Sequence, residues 1–173
     1  MATLVLTVIG DDRSGLVSAL SGVVTDKGGS WERSHMARLE GKFAGIVVVA
    51  VPDDRVEEFL ADLAPLQSQG LLEIRAERGD EAGARRDAVR LSLEVVGADR
   101  PGIVHTISRA LAAKDVGIEE LQTATREAPM AGGMLFEAKA TLLAPPGTSA
   151  EDLRPLLEEI ADELMVDLAL SAD

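Results

Sequence analysis

The chain contains no cysteine, and its only aromatic residues are Trp31, Phe43, Phe59 and Phe136. Without cysteine there is no disulfide framework, no thiolate nucleophile and no thiolate metal site. Basic runs are also missing, the longest being Arg85-Arg86, and 30 acids against 17 bases leave a net charge of −13. A nucleic-acid binder needs a basic footprint and usually aromatic stacking platforms, so direct contact with DNA or RNA is not expected. The acidic excess reads first as solubility. No stretch of about eighteen apolar residues occurs, so no spanning helix and no membrane role are expected. The opening MATLVLTVIGDD lacks a basic region and a small-residue cleavage site, and does not read as a signal peptide. The expectation is a soluble cytoplasmic protein.

What the chain does have is a repeat. Residues 10–17 read GDDRSGLV and residues 97–104 read GADRPGIV. At that offset Leu6, Val8, Gly10, Asp12, Arg13, Gly15, Val17, Ser21, Lys27 and Glu32 align with identical residues. Their mates are Leu93, Val95, Gly97, Asp99, Arg100, Gly102, Val104, Ser108, Lys114 and Glu119. Two copies of long period are a duplicated domain, not a solenoid. The division expected is a first unit at 1–78, a linker at 79–88 around the small, charged GDEAGARRD, and a second unit at 89–173.

Each copy shows the same order of elements. TLVLTVI and VRLSLEVV alternate as half-buried strands. Ser14 is predicted to cap the helix that follows in the first copy, and Pro101 to be the first helical residue in the second. Leu16, Leu20, Val23 and Val24 fall at helical spacing, as do Ile103, Ile107, Ala110 and Leu111. Gly28 and Gly117 are read as the exits from these helices. A strand pair follows, SWERSHMARL with KFAGIVVVAV across Glu40-Gly41, and IEELQTATRE with GMLFEAKATLL across APMAG. Val56, Phe59, Leu60 and Leu63 predict a second helix. Leu153, Leu156, Leu157, Ile160, Ala161 and Leu164 predict its counterpart, starting near Asp152 so that Pro155 lies in the first turn. LLEIRAE and VDLALS close the units. The order βαββαβ, twice, predicts an α+β fold of two ferredoxin-like units, each an antiparallel four-stranded sheet with both helices on one face. Trp31 is read as a core anchor.

Catalysis has little support. His35 and His105 lie in different copies and different elements, no third metal ligand accompanies them, and no glycine-rich phosphate cradle surrounds the loop arginines. A binding corner fits better. Gly10 and Gly15 would let backbone amides approach a guest, and the helix start offers unpaired N–H groups to a carboxylate. Asp12 or Asp99 could meet an ammonium group. A plain strand-to-helix turn, with Asp capping and Arg pairing locally, explains the same residues and stays open at this point. If Gly15 or Gly102 admits the carboxylate, a bulky replacement should abolish binding and leave the fold largely intact.

The strand, the G-x-D-R-x-G-[LI]-V loop and the following helix resemble the ACT domain. Tandem copies with nothing attached, together with SHMARLEGKFAGIVVVAVP and TREAPMAGGMLFEAKATLLAPPG, resemble the glycine cleavage system transcriptional repressor family. The resemblance implies a non-catalytic regulatory protein, without cofactor or metal, that binds a small amino acid such as glycine where ACT units meet. It implies a homodimer that acts through a partner transcription factor. A ligand-free dimerisation or scaffold module, or a detached regulatory subunit of a metabolic enzyme, is the alternative. The positions it implicates are Asp12, Arg13, Ser14, Gly15 and Leu16 with Asp99, Arg100, Pro101, Gly102 and Ile103. From the second strand it implicates Ser34, His35, Met36, Gln122, Thr123 and Ala124. The Asn-Ile pair that ACT units often carry at the start of that strand is replaced by Ser30-Trp31 and Gly117-Ile118.

Overall fold

The structure, a computed structural model, describes residues 1–80, 87–130 and 132–173. Most of the expected linker, and Ala131 of the APMAG loop, lie outside the described residues. The chain divides into two compact units, Met1–Ala84 and Arg85–Asp173.

The first unit runs β1 (Ala2–Asp11), α1 (Leu16–Asp26), β2 (Ser30–Leu39), β3 (Lys42–Val51), α2 (Val56–Ser68) and β4 (Glu73–Arg78). The second runs β5 (Val89–Ala98), α3 (Ile103–Ala112), β6 (Gly117–Glu127), β7 (Met134–Ala144), α4 (Ala150–Leu164) and β8 (Val166–Ala172). The sheets are antiparallel, in order β2-β3-β1-β4 and β6-β7-β5-β8. This is the ferredoxin-like βαββαβ arrangement twice over. In β1, buried Leu4, Leu6 and Val8 alternate with Val5, Thr7 and Ile9, so one face meets the helices and the other does not. Leu16, Leu20 and Val24 of α1 and Phe59, Leu63 and Leu66 of α2 complete the first core. Ile103, Ile107, Leu111, Leu153, Leu157 and Ile160 do the same in the second. Each large side chain so buried contributes about 1.5–3 kcal/mol. Among the described residues no polar side chain is buried.

Several local expectations need correction. Ser14 does not cap α1, and Pro101 is not the first residue of α3. The residues before the two helices are Gly15, at φ +92°, and Gly102, at φ +94°. A left-handed residue cannot belong to a right-handed helix, so each helix begins one residue later. Gly28 (φ +69°) does lead out of α1, but its counterpart after α3 is Asp115 (φ +57°), and Gly117 opens β6 instead. Helix α4 starts at Ala150, earlier than Pro155 suggested. A capping box sets the start: Ser149 accepts from the Asp152 N–H, and the Asp152 carboxylate accepts from the Ser149 N–H at 2.7 Å. Pro155 therefore sits in the second turn and removes one helical donor, as Pro65 does near the end of α2. In α2, Leu60 is exposed and Leu66 takes the inward position. Trp31 is half-buried at the rim of the first core, where its indole N–H donates to the Ser34 hydroxyl at 3.2 Å.

Candidate functional site

The repeated corner is held in the same way in both units. Gly10 and Gly97 let β1 and β5 approach their neighbours. A Cβ on Gly10 would lie 2.4 Å from the Leu71 carbonyl oxygen, and one on Gly97 would lie 2.5 Å from Val166 Cγ1. The room that Gly10 leaves is thus filled by the chain itself, not kept for a guest. The backbone N–H of Asp12 donates to the Gly41 carbonyl, and that of Asp99 to the Met134 carbonyl, each at 2.8 Å. The guanidinium of Arg13 donates to the Gly70 carbonyl just past α2, and that of Arg100 to the Glu163 carbonyl in the last turn of α4, again both at 2.8 Å. A cation at a helix C-terminus meets the negative end of the dipole and an otherwise unpaired carbonyl. The two arginines therefore clamp the corner to the second helix of their own unit.

The helix starts are different in kind. The first helical bonds run from the Ala19 N–H to the Gly15 carbonyl and from the Thr106 N–H to the Gly102 carbonyl. The preceding amides of each helix receive no side-chain cap, and neither first turn contains an acid. By contrast α2 carries Glu57 and Glu58 in its first turn, and α4 carries Glu151 and Asp152 with the capping box. Among the α-helices of the described residues, anion-attracting amides thus remain uncompensated at the two repeated corners alone. Nothing stands within 4 Å of a Cβ built on Gly15 or Gly102, so these corners are also open.

The two corners are not equal. Arg38 of β2 reaches the Asp12 carboxylate at 3.3 Å, whereas its counterpart by register, Thr125, is uncharged, and among the described residues no ion pair engages Asp99. Asp12 is therefore tied to its own hairpin, and Asp99 keeps its carboxylate available. Arg38 was not anticipated, since only the β2–β3 register brings it beside the loop.

The second-strand candidates divide between the two sides of the sheet. Ser34 (opposite Val47), Met36 (opposite Gly45) and Thr123 (opposite Ala138) share the helix-covered side. His35 (opposite Ile46), Gln122 (opposite Lys139) and Ala124 (opposite Glu137) share the uncovered side. Of the first group, Ser34 is engaged by Trp31 and Met36 packs against the core. On the other side Gln122 donates to Glu120 at 2.9 Å. Among the described residues no hydrogen bond joins Ser34, His35 or Met36 to the corner of their own unit.

Two cavities flank these elements. One of ≈ 250 Å³ lies beside the first corner, bordered by Gly10, Asp11, Lys42, Gly70, Leu71 and Glu73. Lys42 pairs with Asp11 there, which holds the Asp11 carboxyl below the ordinary range and raises the Lys42 ammonium. The other, ≈ 30 Å³, lies between α3 and β6 in the second unit and is apolar, with Val104, Ile107, Ile118, Leu121 and Phe136 in its wall. At the positions of Ile118 and Leu121 the first unit has Trp31 and Ser34. Among the described residues no group of three His, Asp or Glu could hold a metal ion, and no helix is long and apolar enough to cross a membrane.

The model of the ACT domain matches residues 2–77 and again 90–170. An unknown protein from Galdieria sulphuraria superposes with TM-score 0.87 at 29% identity, over 99% of this chain and 98% of that one. A protein assigned as a glycine cleavage system transcriptional repressor superposes with TM-score 0.72 at 18% identity, over 98% of this chain and 96% of that one, a likeness of fold. No curated protein matches. With both halves matched, each over a whole βαββαβ unit, the chain belongs to the ACT domain family as a tandem pair.

Proposed function

We propose that the chain is a non-catalytic regulatory protein that binds a small amino acid at its β1–α1 and β5–α3 corners. It acts through protein–protein contacts, as a homodimer and as a co-regulator of transcription in glycine metabolism. The observation that carries this reading is the pair of uncapped, acid-free helix starts, which suit a carboxylate, while α2 and α4 compensate theirs with acids. Asp99 supplies a carboxylate for the ammonium end in the second corner. The fold of the repressor cited above motivates the transcriptional part. Binding would shift the population of subunit arrangements and drive no chemistry.

The internal engagements of Arg13, Arg100 and Gly10 favour a second reading, a ligand-free assembly module whose loop residues serve the fold alone. Titration calorimetry with a panel of amino acids, glycine first, separates the two. Exposed Ser18 and His105 lie in the two first turns, so Ser18→Glu and His105→Glu place a fixed negative charge where the effector carboxylate would sit. An acid there favours the helix dipole, so stability should hold or rise while affinity falls at least about tenfold. Heat with no amino acid, or binding indifferent to both substitutions, would sink the corner as a site.

A further inference from the structure

The two units differ most on the sheet face that the helices leave uncovered. In the second unit the centre of this face is polar: Ser92 lies opposite Thr141, Glu94 opposite Lys139, and Val96 opposite Glu137, with Leu143 and Leu135 only at its two ends. The same positions of the first unit pair Val5 with Val48, Thr7 with Ile46, and Ile9 with Ala44. Ile46 is 53% exposed and Ile9 is 44% exposed. The second unit folds with a lysine and a threonine where the first has Ile46 and Val48, so the fold itself does not require that apolar centre.

We propose that the uncovered sheet face of the first unit is the surface on which a second copy of this chain docks. Two copies each carrying −13 repel one another unless the contacting surfaces are neutral and sorted by sign. This face meets both conditions. Among the residues that register assigns to it, Asp11, Glu73 and Glu77 stand against Lys42, Arg33 and Arg75, three of each sign. They are also arranged by edge. By register the β2 side carries Arg33, and the β4 side carries two glutamates with one arginine. A two-fold axis along the strands sets β2 of one copy over β4 of the other and brings Val5, Ile46 and Val48 onto the axis. That is the aligned sheet-on-sheet geometry, with an isologous contact that closes at two copies. The surface serves the homodimer of the reading above and needs no bound effector.

Sedimentation of the full chain over a concentration series tests this, with Ile46→Lys borrowed from the second unit. Wild type should sediment at twice the 18.2 kDa chain mass, and Ile46→Lys should weaken the dimer at least about tenfold with an unchanged circular dichroism spectrum. Thr141→Lys on the opposite unit should leave the dimer intact. If Ile46→Lys unfolds the first unit, the milder pair Val5→Ser and Val48→Thr, also taken from the second unit, makes the same comparison. A wild-type monomer at all concentrations, or a dimer indifferent to these changes, overturns the proposal. A dimer that binds no amino acid would refute the effector reading and leave this surface standing.

Discussion

Replacing Gly15 and Gly10 by alanine, one at a time, separates two reasons for glycine within a single loop. At Gly15 a Cβ meets nothing within 4 Å, and the whole penalty lies in φ +92°. Left-handed backbone costs an L-residue about 1–2 kcal/mol, and the stiffer unfolded chain gives back about 0.4–1, so the net loss is about 1 kcal/mol. At Gly10 φ imposes nothing, but the Cβ would stand 2.4 Å from the Leu71 carbonyl oxygen and 3.1 Å from Leu72 Cδ2. A backbone oxygen cannot swing aside, so β1 and the connection between α2 and β4 must part, an overpacking cost at the upper end of about 1–3 kcal/mol. Calorimetric melting of the full chain should show the first unit's transition lowered by roughly 4–8 °C per kcal/mol, more for Gly10→Ala than for Gly15→Ala. Gly15→Asn should lie between wild type and Gly15→Val, because asparagine tolerates the left-handed region. A neutral Gly15→Val, or a Gly10→Ala milder than Gly15→Ala, would refute this account of the corner. A bulky residue at Gly15 should therefore leave the fold largely intact but lower its stability, which makes Ser18→Glu the cleaner probe of binding.

Removing an arginine clamp, Arg13→Ala or Arg100→Ala, should cost roughly 1 kcal/mol by urea titration, with the two substitutions additive because they act in separate units. Ser149→Ala should destabilise the second unit by about 1 kcal/mol through loss of the cap. The Asp152 carboxyl is held below its usual range by hydrogen bonds from the Ser149 backbone and hydroxyl. Its stabilisation is therefore full above the unfolded carboxyl pKa and is lost as pH falls through the lower folded value. Acid melting followed by circular dichroism should show that loss in wild type and a shallower dependence in Asp152→Asn. Leu111→Ala, at a fully buried position of α3, should cost about 2–5 kcal/mol. A loss under 1 kcal/mol would mean the adjoining apolar cavity lets the core collapse.

The fold was legible because each unit states it through period and repetition. Alternation in TLVLTVI and VRLSLEVV, helical spacing in the segments between, and the Glu40-Gly41 turn with both φ values positive all point to one arrangement. Misreadings arose where two local rules compete. A serine or proline before an apolar helix looks like its start, but the left-handed glycine after it decides. Pro155 argued for a late α4, but the Ser149–Asp152 box is the stronger local determinant. Site residues were legible as a cluster and not as roles. Nothing in D-R-x-G tells that the arginine will reach the end of a helix more than fifty residues downstream, because that partner is set by how α2 and α4 close the unit. Arg38 beside Asp12, and the sorting of Ser34 from His35, follow from β2–β3 register, which a β-bulge between Trp31 and Arg33 shifts.

Trp31 has a consequence for observing the molecule. It is the chain's only tryptophan, no tyrosine is present, and it sits at the edge of the first core with its indole bonded to Ser34. Emission excited at the indole band therefore originates wholly in the first half of the chain, while the second half is optically silent. A spectral shift on adding an amino acid would report a change within the first unit, near the β2 start that pairs with Val49.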